Sequence, residues 1–300
     1  MHSSLSPRVT IAIPTFNRPE LLRQTISSLL LYAESSEILV INDGGEIPAN
    51  LPNHVKLVNF DRNFGEAYAV NVAWALCENE YFVVVSDDDP QADNWLHLLI
   101  RAAQAQPKYV AYFPSTYVVN DKGVNLNQFA SQYDKKTFHK LLRSPCLAGV
   151  LINAKLLKEN NVRSLRINGL TYPNDLIQWL ELSLIGDFLA VPEAKSLWWE
   201  HQDQTSNTIF DVDQADLYFN NVSNWILKNT NDDIKCESLI ACCLRSIQLL
   251  KRENRTVRSI LGFLFRLRVI LEKQGYPFLS VLSSALKVIL NLLKLKIKNA

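Results

Sequence analysis

The segment Tyr81-Phe82-Val83-Val84-Val85-Ser86-Asp87-Asp88-Asp89-Pro90 decides the fold class. Five aromatic and β-branched residues in a row read as a strand buried on both faces, and the polar run after them ends it abruptly. Strands of this kind belong to the interior of a parallel sheet. The same pattern recurs towards the N-terminus. Val9–Pro14 (VTIAIP), Glu37–Asn42 (EILVIN) and Val55–Phe60 are short apolar runs, the second broken by Asp43-Gly44-Gly45. Between them, Glu20–Tyr32 sets Leu21, Leu22, Thr25, Ile26, Leu29 and Leu30 on one helical face. Gly65–Cys77 repeats that spacing with Ala67, Val70, Ala73 and Trp74, and Trp95–Ala105 is a further helix.

Strands alternating with helices predict βαβ units, hence an α/β fold with a mostly parallel sheet and helices on both faces. Such sheets bind ligands beyond the carboxyl ends of their strands. The polar residues that follow these strands are Thr15, Asn17 and Arg18, then Asp43, then Asp87–Asp89. All fall on that one edge.

Beyond residue 108 the alternation loosens. Tyr109–Phe113, Tyr117–Val119 and Leu147–Ile152 read as strands and Asp175–Ile185 as a helix, while 196–216 reads as an aromatic and polar loop. From Asp216 onward the pattern is helical throughout: Leu217–Lys228, Ile234–Leu250, Val257–Gln274 and Phe278–Lys298. The expected organisation is a catalytic domain over 1–215 and a helical, basic and amphipathic region over 216–300.

Composition narrows the function. Of 300 residues, 48% are apolar and 20% charged, which excludes a disordered chain. The net charge of +1 gives no case for a general nucleic-acid binder. It hides a split, however: Arg245–Ala300 holds 12 Lys+Arg against the two acids Glu253 and Glu272, leaving 19 bases and 28 acids in residues 1–244. Five cysteines without a C-x-x-C pair support neither a zinc site nor a disulfide framework, and Cys242-Cys243 sit in an apolar helical run as small hydrophobes. Met1–Thr10 is polar with no apolar h-region, and the longest uncharged stretch is 13 residues, Gln274–Leu286, too short to span a bilayer. The expected location is the cytoplasm.

Three consecutive carboxylates after a buried strand repel one another unless a cation intervenes. Oxygen ligands with open coordination positions suit Mg²⁺ or Mn²⁺ holding a phosphorylated substrate. The competing reading is a helix N-terminus, with Asp89-Pro90 at the cap and acids in the first turn.

The chain resembles family 2 glycosyltransferases, which have the nucleotide-sugar-binding GT-A fold. Four pieces carry the resemblance, in order: Ile13-Pro14-Thr15-Phe16-Asn17-Arg18; Ile41-Asn42-Asp43-Gly44; Asn63-Phe64-Gly65 with Ala69 and Asn71; and Glu80-Tyr81-Phe82 leading to Ser86-Asp87-Asp88-Asp89. It spans residues 8–105 closely and runs more loosely to about 210. The resemblance implies a Rossmann-like sheet with a C-terminal helical extension. It also implies a nucleotide-sugar site drawn from Pro14, Thr15, Asn17, Arg18, Asp43, Asn63, Gly65, Asn71, Asp87 and Asp88.

Asp87, Asp88 and Asp89 match the family's DxD region, which binds the ribose and the diphosphate-bound Mn²⁺ or Mg²⁺. Ser86 stands where the common D-x-D-D spelling has its first acid. Either Asp88 is the principal ligand or Asp87 and Asp89 form the pair. His201, after Trp198-Trp199-Glu200, is a further candidate metal ligand. The two tryptophans are candidates for an acceptor sugar surface or for core. Tyr172-Pro173-Asn174-Asp175 is similar to the family's acidic motif, with Asn174 replacing the first acid. Asp175 is then the candidate catalytic base, its alternative role being a helix cap.

These features imply an inverting, metal-dependent transfer from a nucleoside diphosphate sugar to a saccharide hydroxyl, including lipid-linked acceptors of surface-polysaccharide synthesis. One rival is a sugar-phosphate nucleotidyltransferase, although Pro14–Glu20 lacks the glycines that would hold a triphosphate. Another is a non-catalytic nucleotide-sugar-binding scaffold. The basic segment 251–298, with a polar stripe at Ser280, Ser284, Lys287, Asn291, Lys294 and Lys298, suits an anionic membrane surface. That would place the enzyme peripherally on the inner face of the cytoplasmic membrane. The alternative for these helices is packing on the catalytic body or in a dimer.

Overall fold

The computed structural model describes residues 9–120, 123–129, 138, 139, 142, 149–167, 174–201, 212–250 and 257–276. The chain divides into two compact units, Met1–Tyr133 with Pro145–His201, and Asp134–Ser144 with Gln202–Ala300.

The first unit is built on one mixed sheet. Its strands are β1 (Val9–Thr15), β2 (Ser36–Asn42), β3 (Val55–Asn59), β4 (Tyr81–Val84), β5 (Ala111–Asn120), β6 (Gly123–Phe129), β7 (Leu151–Asn153) and β8 (Phe188–Trp199). The order is β3-β2-β1-β4-β7-β5-β6, with β8 also paired to β5. β1 lies parallel to both β2 and β4, and β2 parallel to β3. This is the parallel half that the alternating sequence predicts. β7 inserts antiparallel between β4 and β5, and β8 runs parallel to β5.

Helices α1 (Pro19–Leu29), α2 (Glu66–Leu76) and α3 (Trp95–Ala105) connect or flank these strands, followed by α4 (Ala154–Glu159) and α5 (Asn174–Ile185). Pro19 opens α1, where its fixed φ suits a helix start and its missing N–H costs nothing. The apolar face of α1, Leu22, Ile26 and Leu29, is buried in one core with Ile11, Ile13, Val40 and Val83 of the sheet and with Trp95 and Leu99 of α3. Each such side chain contributes about 1.5–3 kcal/mol by leaving water. This core fixes the strand ends on which the site depends.

Two expectations change. Tyr109–Phe113 and Tyr117–Val119 are not separate strands: β5 runs through both, across Pro114. Proline has no N–H for the ladder, and the register with β8 slips there, from Pro114 opposite Val191 to Ser115 opposite Lys195. Ser115 Oγ donates to the Pro192 carbonyl at 3.0 Å within the resulting bulge. The second change concerns 196–216. Ser196–Trp199 is the end of β8, held by β5, so the aromatic pair stands on a strand and not in a loop.

The second unit contains α6 (Val212–Asn229), α7 (Asp232–Leu249) and α8 (Val257–Lys273). α7 buries Leu239, Ile240, Cys242 and Cys243, the thiols acting as apolar filling. Ser238 Oγ donates to the His139 carbonyl at 2.9 Å, tying the 138–139 segment to α7. Arg266 of α8 bonds Asp216 at 2.5 Å and lies over the Phe219 and Phe263 rings. On the same helix Leu261, Leu264 and Phe265 are exposed, Phe265 by 66%. Among the described residues no helix is long and apolar enough to cross a membrane. The expected helix Phe278–Lys298 with its polar stripe, the loop 202–211, and Tyr172 and Pro173 lie outside the described residues.

Candidate active site

β1 and β4 are neighbours and parallel, so Thr15 and Ser86–Asp89 emerge from the same sheet edge. Asp87 turns towards β1 and α1. Its Oδ2 accepts from Thr15 Oγ1 at 2.7 Å and its Oδ1 from Arg18 Nη1 at 3.3 Å, while Thr25 Oγ1 donates to its main-chain carbonyl at 2.9 Å. Asp88 Oδ2 accepts from the same Arg18 Nη1 at 2.7 Å and lies 2.9 Å from His201 Nε2. Asp89 turns the other way, accepting the Trp199 main-chain N–H at 2.8 Å. Asp87 and Asp88 thus share Arg18 while each keeps a partner of its own, and Asp89 is held separately by β8.

The electrostatics follow from burial. Loss of water pushes the Asp87 carboxyl above its usual range, opposed by the Thr15 hydroxyl. Asp89 is pushed up further, first by burial and then by the Asp88 charge, against the Trp199 N–H and the Ser86 hydroxyl. The N-cap reading of these acids is overturned. α3 begins at Trp95, its cap residue is Asn94 in the left-handed region (φ 66°), and Asp87–Asp89 lie in the turn ahead of it.

A divalent cation fits part of this cluster. Asp88 Oδ2 and His201 Nε2 are separated by 2.9 Å, the spacing of adjacent ligands around an ion with bonds of about 2.1 Å. Among the described residues no group of three or more His, Cys, Asp or Glu could hold a metal. Among the described residues, Asp88 and His201 are the carboxylate and imidazole that could hold such an ion here.

The remaining candidates divide. Asp43 is buried, and its carboxylate takes the Phe64 N–H at 2.7 Å and the Gly65 N–H at 2.8 Å, fastening the β3–α2 loop, with Asn63, to the end of β2. Asn17, at φ 55°, accepts the Glu46 N–H at 2.9 Å and joins the β1–α1 turn to the β2–β3 loop. Gly45 is needed there, since a Cβ would come within 2.5 Å of Asn17 N. Pro14 lies in β1 opposite Ile41. Asn71 is directed elsewhere: its Oδ1 accepts the Leu165 and Arg166 N–H groups and its Nδ2 donates to the Arg166 carbonyl.

Asp175 is half-buried in the first turn of α5, accepting the Leu176 N–H at 2.8 Å. Trp198 and Trp199 are successive strand residues and so face opposite sides of the sheet. Trp199 joins the acidic turn, its Nε1 donating to the Pro90 carbonyl at 3.0 Å.

Two residues escaped sequence reading. Gln91 is buried and bridges the turn to β8, donating to the Asp89 and Leu197 carbonyls and accepting the Leu197 N–H. Nothing in the sequence marks it. Thr25 had a signal: a hydroxyl among the apolar positions of α1, which the Asp87 carbonyl now explains.

The mixed sheet, with its parallel β3-β2-β1-β4 half and the acidic turn at the end of β4, has the architecture of the GT-A class. Residues 10–153 match the sequence pattern of Glycosyl transferase family 2. It is 23% identical over 279 residues to an uncharacterized glycosyltransferase of Haemophilus influenzae, covering 85% of this chain and 84% of that one. It is 26% identical over 149 residues, 45% of this chain and 53% of the relative, to WcaA of Escherichia coli, assigned as a colanic acid biosynthesis glycosyl transferase. Among solved structures, S. aureus TarS 1-349 in complex with UDP-GlcNAc superposes with a TM-score of 0.63 at 14% identity, over 90% of this chain and 93% of that one. The mannosyltransferase PcManGT of Pyrobaculum calidifontis, in complex with GDP-Man and Mn2+, gives 0.51 at 12%, over 95% and 88%.

Proposed function

We propose that this glycosyltransferase is metal-dependent and inverting. It moves a sugar from a nucleoside diphosphate sugar to a hydroxyl of a saccharide acceptor, lipid-linked acceptors included, in surface-polysaccharide synthesis. The observation that carries this is the convergence of Asp88, His201 and Arg18 at the sheet edge where β1 and β4 end.

In this reading Asp88 and His201 hold Mn²⁺ or Mg²⁺, which when bound offsets charge on the departing diphosphate. Arg18 neutralises Asp87 and Asp88 and supplies positive charge beside the diphosphate. Thr15, Asn17, Asp43, Asn63 and Gly65 shape the nucleotide subsite. Asp87 is held by Thr15 in position to accept from a ribose hydroxyl. Asp175 takes the proton from the attacking acceptor hydroxyl, and a single displacement inverts the anomeric carbon. Trp199 offers its exposed ring to the acceptor.

Relatives support parts of this: UDP-GlcNAc and GDP-Man with Mn2+ occupy two enzymes of the same fold, and WcaA belongs to polysaccharide synthesis. Peripheral attachment to an anionic membrane is supported by the exposed Leu261, Leu264 and Phe265 beside Arg258 and Arg268.

A thermal-shift screen of nucleoside diphosphates with and without Mn²⁺ tests the donor reading. One nucleotide should raise the melting temperature, and more so with metal. Transfer assays on Asp175→Asn test the base: turnover should fall about 10²–10⁴-fold with nucleotide binding intact. Full activity of that variant refutes the assignment.

A further inference from the structure

Away from the acidic turn, the segment 162–167 and one side of α5 enclose a cavity of about 470 Å³. Its walls are mostly aliphatic, among them Leu165, Ile177 and Leu182. Two polar atoms in this lining are buried without a partner among the described residues, the acceptor Oε1 of Gln178 and the donor Nε of Arg166. Gln178 is only 4% exposed. Native folds seldom leave such atoms unsatisfied, and each costs stability.

The cavity is also braced. Asn71 fixes the backbone at Leu165 and Arg166, and the Asn174 side chain both accepts from the Ile167 N–H and donates to its carbonyl, each at 2.8 Å. A wall held by two side-chain amides is preformed, and its volume lies in the range of small-molecule sites.

We propose that this cavity is a subsite for one sugar ring of the acceptor, an inference that rests on the saccharide acceptor proposed above. A ring hydroxyl can accept from Arg166 Nε–H or donate to Gln178 Oε1, the two unmet needs of this lining. The C–H face of a pyranose suits the aliphatic walls. The lining carries both signs of charge, Arg163 and Arg166 with Glu181, so charge alone does not select an anionic ligand over a neutral sugar. Asp175 stands three residues before Gln178 on α5, hence on the same side of the helix. A ring bound here places its neighbour in the glycan towards the candidate base.

The test uses the full chain and ligand-observed saturation-transfer NMR with methyl glycosides of glucose, galactose, mannose and N-acetylglucosamine. Two variants accompany the wild type: Gln178→Leu, which removes the orphaned acceptor, and Leu184→Trp, which fills the cavity from an exposed position. At least one glycoside should show transfer in the wild type and lose it in both variants. Gln178→Leu should also raise the melting temperature, because a buried partnerless acceptor is gone.

The subsite is overturned if no glycoside binds, if binding survives in both variants, or if Gln178→Leu melts lower, which would mean that the acceptor is satisfied within the fold. Nucleotide binding is measured alongside. Nucleotide binding without glycoside binding overturns the subsite alone, whereas its absence overturns the donor reading.

Discussion

Asp88 and His201, 113 residues apart in the chain, meet with Oδ2 and Nε2 2.9 Å apart. The contact joins the turn after β4 to the residue that follows β8 by two positions, and Arg18 shares the same carboxylate oxygen. His201→Ala should therefore weaken Mn²⁺ binding and turnover by at least about 10–100-fold, the loss typical when a metal ligand merely loses its supporting partner. Titration of Mn²⁺ by electron paramagnetic resonance measures the affinity directly. Arg18→Met should act in the opposite sense on metal affinity, because it removes a competing cation from Asp88. Equal Mn²⁺ affinity in all three proteins would remove both residues from the metal site.

Asp89 makes a pH prediction whose sign is fixed by burial. Its folded pKa lies above the unfolded value of about 3.8, so above that pH the native state keeps a proton that the unfolded chain has released. Stability therefore falls as pH rises from the unfolded pKa towards the folded one. Asn retains the acceptor for the Trp199 N–H and does not ionise. In the presence of a chelator, Asp89→Asn should match the wild type near pH 3 and exceed it progressively at higher pH. Urea unfolding at several pH values checks this; a constant difference across the range would show that ionisation of Asp89 is not involved.

Much of this site was legible because short-range patterns encode it. The parallel half of the sheet follows from β1, β2, β3 and β4, whose apolar runs leave no other burial, and the polar residues after them fall on one edge by topology alone. The rest depends on distant partners. Whether Asp89 caps a helix or receives the Trp199 N–H is decided by β8, more than a hundred residues later. Ser196–Trp199 reads as polar loop because its pairing partner, β5, lies elsewhere in the sequence. Asn71 matches a nucleotide-site motif, yet it bonds a segment some 95 residues away. Local periodicity carries no information on such partners.

Asp43 links nucleotide shaping to stability. Its two carboxylate oxygens hold two main-chain N–H groups of the loop that enters α2. Hydrogen bonds to a charged acceptor contribute about 1.5–3 kcal/mol each. Asp43→Ala should thus cost about 3 kcal/mol or more, and Asp43→Asn roughly half, since one acceptor oxygen remains. Denaturant midpoints at constant m-value distinguish the two. An alanine variant of wild-type stability would contradict the loop-fastening role.

The thiols of α7 should be inert in the native state. Burial pushes Cys243 up to about 12 and Cys242 well above the usual thiol range, and the thiolate is the reactive form. Alkylation at pH 8, followed by peptide mapping, should label these two only at the rate of unfolding. Rapid labelling of Cys242 or Cys243 would mean that the second unit opens locally.

Asn174 gives a prediction against the family pattern. Asn174→Asp restores the usual acid, but the present amide does two things that a carboxylate cannot do together. It accepts from the Ile167 N–H and donates to the Ile167 carbonyl. An ionised Asp keeps the first bond and sets a negative charge against the carbonyl in place of the second. The variant should lose about 1–3 kcal/mol at neutral pH. A protonated carboxyl can still donate, so the loss should shrink below the carboxyl's pKa, and the stability of the variant relative to wild type should rise as pH falls. A pH-independent difference would sink this account, and a variant as stable as wild type at pH 7 would show that the Ile167 carbonyl does not need the amide.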